Sequence, residues 1–494
     1  MQQVMLCNML EELDAATKGG IIDRAGPIYQ FSHDIVQQTV YGLILVDRQK
    51  LLHKTIGDAL LKGVGDDPTI QLLAVDQINR CCKEEDGSLT PEERSKYAHA
   101  NADAAKFAIS ASSFKQARSY INVGMKLLEA QHWQTQYALS LSLYEMSASV
   151  SFMRGDQNAI SSCINEILSN AKSFDDSLKA SVLLVRLLGS SLKFEKARKH
   201  CLKILSKLGE DLPSTTSVPR VLDKVSKIQT LLRNGITHKW IQQLPRMMEK
   251  NKINAMKFMN MLCMYSVLSK PLCLPLVSFR MVELTLQDGF CDDDSIVGLT
   301  TAAYSMYLFT DDIKLAFEVA KVCELLVEES PNKHALRSRL SNELVATLDA
   351  IVKPIQSVIS RYPEMYKYSM LAGDVQSAVI SRWHYCASRF VSGGVELFHL
   401  SKDFVLCIQE AEKYQMSIAI YAIMTHYNAL LHLSGAVNDD IGLKTYDELD
   451  RIGERTKNAQ LLLMVFLNRM SGHFWRREFF DVAQLSENTP TTTV

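Results

Sequence analysis

At 494 residues the chain is long enough for two to four ordinary domains, or for one array of repeats in which each unit packs only on its neighbours. Its 47% hydrophobic and 22% charged residues, with only 12 Pro, supply ample material for a core and exclude a disordered protein. The 54 Lys+Arg against 55 Asp+Glu leave a net charge of -1, which excludes a global field drawing the chain to nucleic acid or an anionic membrane.

In chain order, a helix is expected over Met9 to Thr17, then two short strands between Gly19 and Phe31 around an Ala25-Gly26-Pro27 turn, then a helix from Asp34 to about Leu45. Helix, hairpin, helix is the ending of a winged-helix unit, and residues 1–62 are read as such a remnant. From Asp47 onward apolar residues recur three and four apart, and alternating strand-like patterns are nearly absent. Short polar breaks such as Gly65-Asp66-Asp67-Pro68, Gly155-Asp156, Gly209 to Pro213 and Gly373-Asp374 imply helical hairpins. The expected fold is all-α, a superhelix of antiparallel helix pairs in the manner of a tetratricopeptide-like α-solenoid.

Several units repeat a helix, a turn, and a second helix that opens on a small residue so that two helices approach closely. Ala117, Ala159 and Ala197 hold that place, at separations of 42 (159−117) and 38 (197−159), longer than the roughly 34 residues of a regular repeat. Ala316 and Ala378 mark further copies. The basic segment 213–245, with Arg220, Lys224, Lys227, Arg233 and Lys239, breaks the period and reads as a connecting helix. Repeats are therefore expected over 63–212 and 246–486, with a disordered tail over 487–494.

Three patches, in order, carry a resemblance. Tyr29-Gln30-Phe31-Ser32-His33-Asp34 runs on through Gln38 and Tyr41 to Arg48, Leu52-His53 and Ile56. The second patch joins Gly155-Asp156 to Lys193-Phe194-Glu195-Lys196-Ala197 and Leu208 to Pro213. The third joins Leu244-Pro245, Pro275 to Leu284, Leu371 to Asp374 and Gly393 to Leu397. Together they resemble the helical region of multidomain signal-transduction ATPases that carry an origin-recognition-like AAA module, as in hybrid histidine kinases and serine/threonine kinases of that build. The resemblance implies that Phe31, His33, Asp34, Gln38, Tyr41, Arg48 and His53 close the ATPase module and enter the repeats. It places Ala117, Gly155, Asp156, Ala159, Ala197, Gly373 and Asp374 in the repeats as structural positions. In such proteins the nucleotide-binding half precedes this region and a kinase or cyclase follows it, so the chain is expected to be a fragment or a stand-alone remnant.

No Gly-x-x-x-x-Gly-Lys-[Ser/Thr] occurs, so the backbone cradle and Lys that a triphosphate needs are missing, and no other catalytic signature replaces them. His33-Asp34 is read as structural, with Ser32 or Asp34 capping a helix and His33 packed at the hairpin. Arg154-Gly155-Asp156 is read as an interhelical turn, Asp292-Asp293-Asp294 as the approach to a helix capped at Asp294 or Ser295, and the Met-rich run Met247 to Met264 as core. Thr492-Thr493-Val494 has the form of a PDZ-domain ligand. The 11 Cys lack any Cys-x-x-Cys or zinc-type spacing, and MQQVMLCNMLEELDAA lacks the features of a signal peptide, so a cytoplasmic location is expected. Met261 to Phe279 is interrupted by Lys270, Pro271 and Pro275, short of the roughly 20 apolar residues of a membrane span.

The expected function is a non-catalytic protein-interaction or sensor scaffold that binds protein or peptide partners, an ATPase or kinase module among them, with no cofactor and no nucleic acid. The alternative is a regulatory subunit of an ATP-dependent signalling enzyme whose catalytic modules lie on other chains. A DNA-associated regulator is the weakest reading, because no basic recognition helix accompanies the partial wing.

Overall fold

In a computed structural model, the chain is described over residues 2–487 except 27, 64–66, 83–88, 112, 154–155, 234–237, 311, 331–332, 334–335, 338–339, 341–348, 350–351, 373, 415 and 436–442. Its start follows the expected order: α1 (Gln2–Lys18), β1 (Ile22–Ala25), β2 (Ile28–Phe31), α2 (Asp34–Gly42) and α3 (Val46–Gly63). The two strands pair antiparallel with Ile22 opposite Phe31, the one sheet among the described residues. Ser32 does not cap α2. Its Oγ donates instead to Gly20 O at 2.9 Å and Ile21 O at 3.1 Å, which ties the hairpin to the helix start. The N-cap is His33, in extended backbone and without a side-chain cap bond, and Asp34 is the first helical residue. His33 lies exposed rather than packed at the hairpin, because no element covers that side of it.

The helices that follow are α4 (Pro68–Cys81), α5 (Pro91–Ser110), α6 (Phe114–Leu127), α7 (His132–Thr135), α8 (Tyr137–Met153), α9 (Gln157–Asn170) and α10 (Phe174–Ser190). Then come α11 (Phe194–Lys207), α12 (Val218–Arg233), α13 (His238–Gln242), α14 (Lys250–Ser269), a 3₁₀ turn (Pro271–Cys273), α15 (Leu274–Asp288), α16 (Asp292–Phe309) and α17 (Ile313–Glu329). The described chain closes with α18 (Ile355–Ile359), α19 (Tyr362–Leu371), α20 (Val375–Ser392), α21 (Leu397–Lys413), α22 (Ser417–Ser434), α23 (Tyr446–Thr456), α24 (Ala459–Trp475) and α25 (Phe479–Glu487). Successive helices pack as neighbours, among them α3 on α4, α5 on α6, α8 on α9, α16 on α17 and α21 on α22. This is an all-α solenoid of helix pairs, as the 3.6-residue period predicts.

One turn recurs. At Ser113, Asp156, Lys193, Asp374, Met416, Asn458 and Glu478 the backbone N–H bonds to the carbonyl five residues back, at 2.8–3.0 Å. The carbonyl of the same residue accepts the N–H four residues on, at 3.0–3.2 Å. One residue thus satisfies an orphan carbonyl of the first helix with its N–H and accepts the first intrahelical bond of the second with its carbonyl. Asp156 and Asp374 also cap with their side chains, accepting from Ala159 N and Ser377 N, and Asp312 accepts from Leu315 N in the same way. The residue four past the turn is buried at Ala117, Ala197, Ala316 and Ala378. In the second unit of that series the register differs from expectation: Ile160 takes the buried place, and Ala159 is only half-buried because it lies one residue early on the helix face. Gly155 and Gly373 lie outside the described residues.

The chain divides into two compact units, Met1–Ala180 and Ser181–Val494. The core of the first joins Val75, Ala105, Ala117 and Ile121 of α4 to α6, beside a second cluster that includes Ile78, Tyr97 and Leu143. Asn79 and Asn101 exchange amide hydrogen bonds at 2.8 and 2.9 Å between α4 and α5. The division falls inside α10 and not in the 213–245 segment expected to connect the repeats. That segment is part of the second core: Val221, Val225, Ile228 and Leu232 of α12, spaced four, three and four apart, are buried with Phe279, Val282 and Leu299. A further cluster gathers Phe404, Cys407, Ile423, Tyr427 and Leu461 from α21, α22 and α24. The Met-rich run is mostly core, with Met247, Met256, Met259 and Met261 buried and Met248 and Met264 exposed.

After α11, Gly209 at φ +87° turns the chain so that Glu210 points inward, only 4% exposed at its side chain. Lys252 Nζ reaches its Oε1 at 2.6 Å and Arg280 Nε its Oε2 at 2.7 Å, while Arg280 also holds Glu283 at 3.3 Å. Lys224 of α12 completes the set on Glu283. Burial pushes the Glu210 carboxyl up, but hydrogen bonds from Arg280 and Lys252 outweigh it and hold the group below the ordinary range. Glu210→Gln should therefore lose about 2–4 kcal/mol of stability by urea unfolding, because two cations are left half-satisfied. Asp223→Asn, at the exposed pair with Lys227, should change it by less than about 0.5 kcal/mol.

Candidate interaction surfaces

The residues implied by the resemblance divide into two groups. Tyr41 and His53 come together: the Tyr41 hydroxyl lies 2.7 Å from His53 Nε2, and His53 Nδ1 lies 2.6 Å from Gln77 Oε1 of α4. Gln77 Oε1 can only accept, so Nδ1 carries a proton, and the buried ring links α2, α3 and α4. Gln49 Nε2 donates to Tyr41 O at 3.0 Å and Ile44 O at 2.8 Å, closing the turn between α2 and α3. Gln49 and Gln77 carry no sequence signal, because amide side chains acquire this role only when the helices are in place. The second group, Phe31, His33, Asp34, Gln38 and Arg48, is exposed. Asp34 sits in the first turn of α2, where a carboxylate favours the helix dipole.

Around that second group lies an apolar face. α2 buries none of its residues, and Ile35 is 75% exposed, Leu43 80% and Leu45 70%. Ile28 and Phe31 of β2, Val46 and Leu51 of α3 extend the exposed apolar set on the same short stretch. Single exposed apolar residues are ordinary, but a helix that buries none of its residues beside this many of them is not.

In the second unit, a cleft of about 360 Å³ opens between α17 and α19. It is lined by Glu324, Glu328, Arg337, Arg361, Glu364 and Tyr368 among others. Both guanidiniums of the cleft are paired: Arg337 with Glu328, lying over the Tyr368 ring at 5.1 Å, and Arg361 with Glu324 at 3.3 Å and with Asp349. The Tyr368 hydroxyl donates to Glu364 at 2.9 Å. The cleft wall thus carries charges of both signs.

Two buried thiols and two imidazoles elsewhere are held in their neutral forms. Burial pushes the thiols of Cys201 and Cys386 up to about 12, so they stay protonated at neutral pH. His384 and His426 flank Trp383, with ring centroids 4.7 and 5.6 Å from it. As whole residues both are half-buried, yet His384 Nδ1 is sealed from solvent without a hydrogen-bond partner. Burial lowers both rings from 6.5 to about 4, and His426 adds like-charge repulsion to His384. α16 begins at Asp292, ahead of the expected cap at Asp294 or Ser295, and its N-cap is Cys291, whose N–H donates to Ser295 Oγ at 2.8 Å.

Two predictions follow from these placements. His53→Ala should cost about 2–3 kcal/mol, since it empties a buried site and strands two polar partners, whereas Arg48→Ala should cost less than about 0.5 kcal/mol. For the His384 and His426 pair, the folded rings bind protons less readily than the unfolded chain, so stability intact above about pH 6.5 is lost as pH falls toward 4. The loss should reach about 2 kcal/mol per ring at pH 5, and His384→Asn or His426→Asn should flatten the dependence of the urea midpoint between pH 7 and 4.5.

No helix among the described residues is long and apolar enough to cross a membrane. No family model matches the chain, and no curated protein matches it. Among solved structures, it is similar to the crystal structure of Rap protein complexed with competence and sporulation factor, at 10% identity and a TM-score of 0.49, over 80% of this chain and 96% of that one.

Proposed function

We propose that the chain is a non-catalytic protein-interaction scaffold of the multidomain signalling-ATPase kind, whose N-terminal apolar face receives an origin-recognition-like AAA module. The observation that carries this reading is α2, which buries no residue while presenting Ile35 and, just past its end, Leu43 and Leu45 to solvent. The occupant is read from the residues themselves, because Phe31, His33, Asp34, Gln38 and Arg48, which resemble the end of the ATPase module, are the ones exposed beside that face. On this reading residues 1–62 are the closing part of a winged helix, the repeats over 63–212 and 246–486 carry partner-binding surfaces such as the α17–α19 cleft, and the chain works in the cytoplasm. Chemistry is left to the modules it holds. A regulatory subunit acting on a separate ATPase or kinase chain would use the same face.

The test is titration of the full chain against a purified AAA module from a signalling ATPase of this build, by calorimetry. Micromolar association is expected, and Ile35→Asp with Leu43→Asp should weaken it by about 30-fold or more. Both positions are exposed in the free chain, so the double variant should keep its thermal stability. Absence of binding, equal binding by the variant, or a concentration-dependent dimer of the chain alone that the variant abolishes would overturn the assignment. ATP hydrolysis by the chain alone would overturn its non-catalytic part.

A further inference from the structure

At the end of the described chain, α25 packs on α24 yet buries none of its own residues. Apolar burial therefore does little to hold it: Phe479 and Phe480 at its start are exposed, and beside them a polar group gathers side chains from three elements. His432 comes from α22 and His473 from α24, with ring centroids 4.9 Å apart and nearly edge to face. Glu478, in the turn before α25, places Oε2 2.6 Å from His473 Nδ1 and 3.3 Å from His432 Nε2. One ligand atom from each of the three lies within 4.8 Å of the other two. Asp481 of α25 stands next, with Oδ2 3.9 Å from His473 Nδ1.

We propose that His432, His473 and Glu478 form a binding site for a zinc-class divalent cation, with Asp481 as the fourth ligand, which fastens α25 to α22 and α24. Two imidazoles with carboxylates are a donor set for Zn²⁺ and its neighbours rather than for Mg²⁺ or Ca²⁺, which take oxygen ligands. Tetrahedral coordination at about 2.0–2.1 Å sets ligand atoms about 3.3 Å apart. The His432–Glu478 distance already has that value, and the shorter His473–Glu478 contact is a hydrogen bond whose proton the cation displaces to solvent.

The surroundings support the ligands. Arg476 Nε holds the other oxygen of Glu478 at 3.1 Å, so Oε2 stays turned toward the histidines. Gly472 of α24 leaves room for the His432 ring, since a Cβ there would stand 3.1 Å from its Cδ2. All three ligand side chains keep 24–29% exposure, which leaves a path for the ion. The backbone of Glu478 is one of the recurring turn residues, so its position is set by the solenoid and not by a free loop.

The test uses the full chain stripped with EDTA and titrated with Co²⁺ and Zn²⁺. One equivalent of Co²⁺ should bind with visible d–d absorption of a four-coordinate site, Zn²⁺ should displace it, and a hundredfold excess of Mg²⁺ or Ca²⁺ should not. Zn²⁺ should also slow amide exchange in residues 479–487. His432→Gln, His473→Gln and Glu478→Gln should each weaken binding by at least 100-fold, and the near-isosteric Glu478→Gln keeps the test sound should a His variant misfold. His399→Gln, at an exposed histidine paired with Glu396, should bind as the parent does. No stoichiometric binding by the parent chain, or equal binding by folded Glu478→Gln, would overturn the proposal.

Discussion

The recurring tight turn of the array hangs on one residue whose N–H ends the helix before it while its carbonyl begins the helix after it. At seven turns, from Ser113 to Glu478, the same pair of bonds recurs. Two helices joined in this way have no slack, so the side chain four residues on is carried to a fixed depth against the preceding helix. Alanine at 117, 197, 316 and 378 permits the closest approach, and Ile160 fills the same place in the unit after Asp156. The unpaired carbonyls and N–H groups that a helix end would otherwise leave in the interior are satisfied at no cost in added loop.

Polar groups then decide how neighbouring pairs register. Apolar packing is non-directional, and many small slides of one helix along another bury similar area. The Asn79–Asn101 exchange, His53 between Tyr41 and Gln77, and Glu210 between Lys252 and Arg280 are directional, and each is satisfied in one arrangement only. These contacts add modestly to stability and chiefly penalise the alternatives.

What such a frame does with its surfaces follows from where burial stops. The thiols of Cys201 and Cys386 and the rings of His384 and His426 are held neutral, and both Arg of the α17–α19 cleft are paired with carboxylates. By contrast α2 shows apolar side chains to water and α25 depends on polar partners. The two ends of the described chain are thus the places where an added body or ion gains most, and the proposals above rest on them.

The helical class, the helix–hairpin–helix start and the turns at Asp156, Gly209 to Pro213 and Asp374 are legible in the sequence, because they depend on 3.6-residue spacing and on Asp, Gly and Pro at breaks, which are local properties; the turns at Met416, Asn458 and Glu478 carry no such residue. Single-residue register was less so: Ala159 and Ile160 are adjacent, both suit a helix interior, and only the preceding helix shows which one faces it. The same holds for α12, whose charges read as a connector while its buried side, Val221 to Leu232, is defined by helices 50 to 80 residues away. Gln77, Glu210 and the His432, His473 and Glu478 group gave no signal, since their partners lie far along the chain and meet only when helices stack. Local hydrogen bonding and hydrophobic period are written residue by residue; the pairing of distant polar groups is decided by which helix faces pack together, and that only the tertiary structure settles.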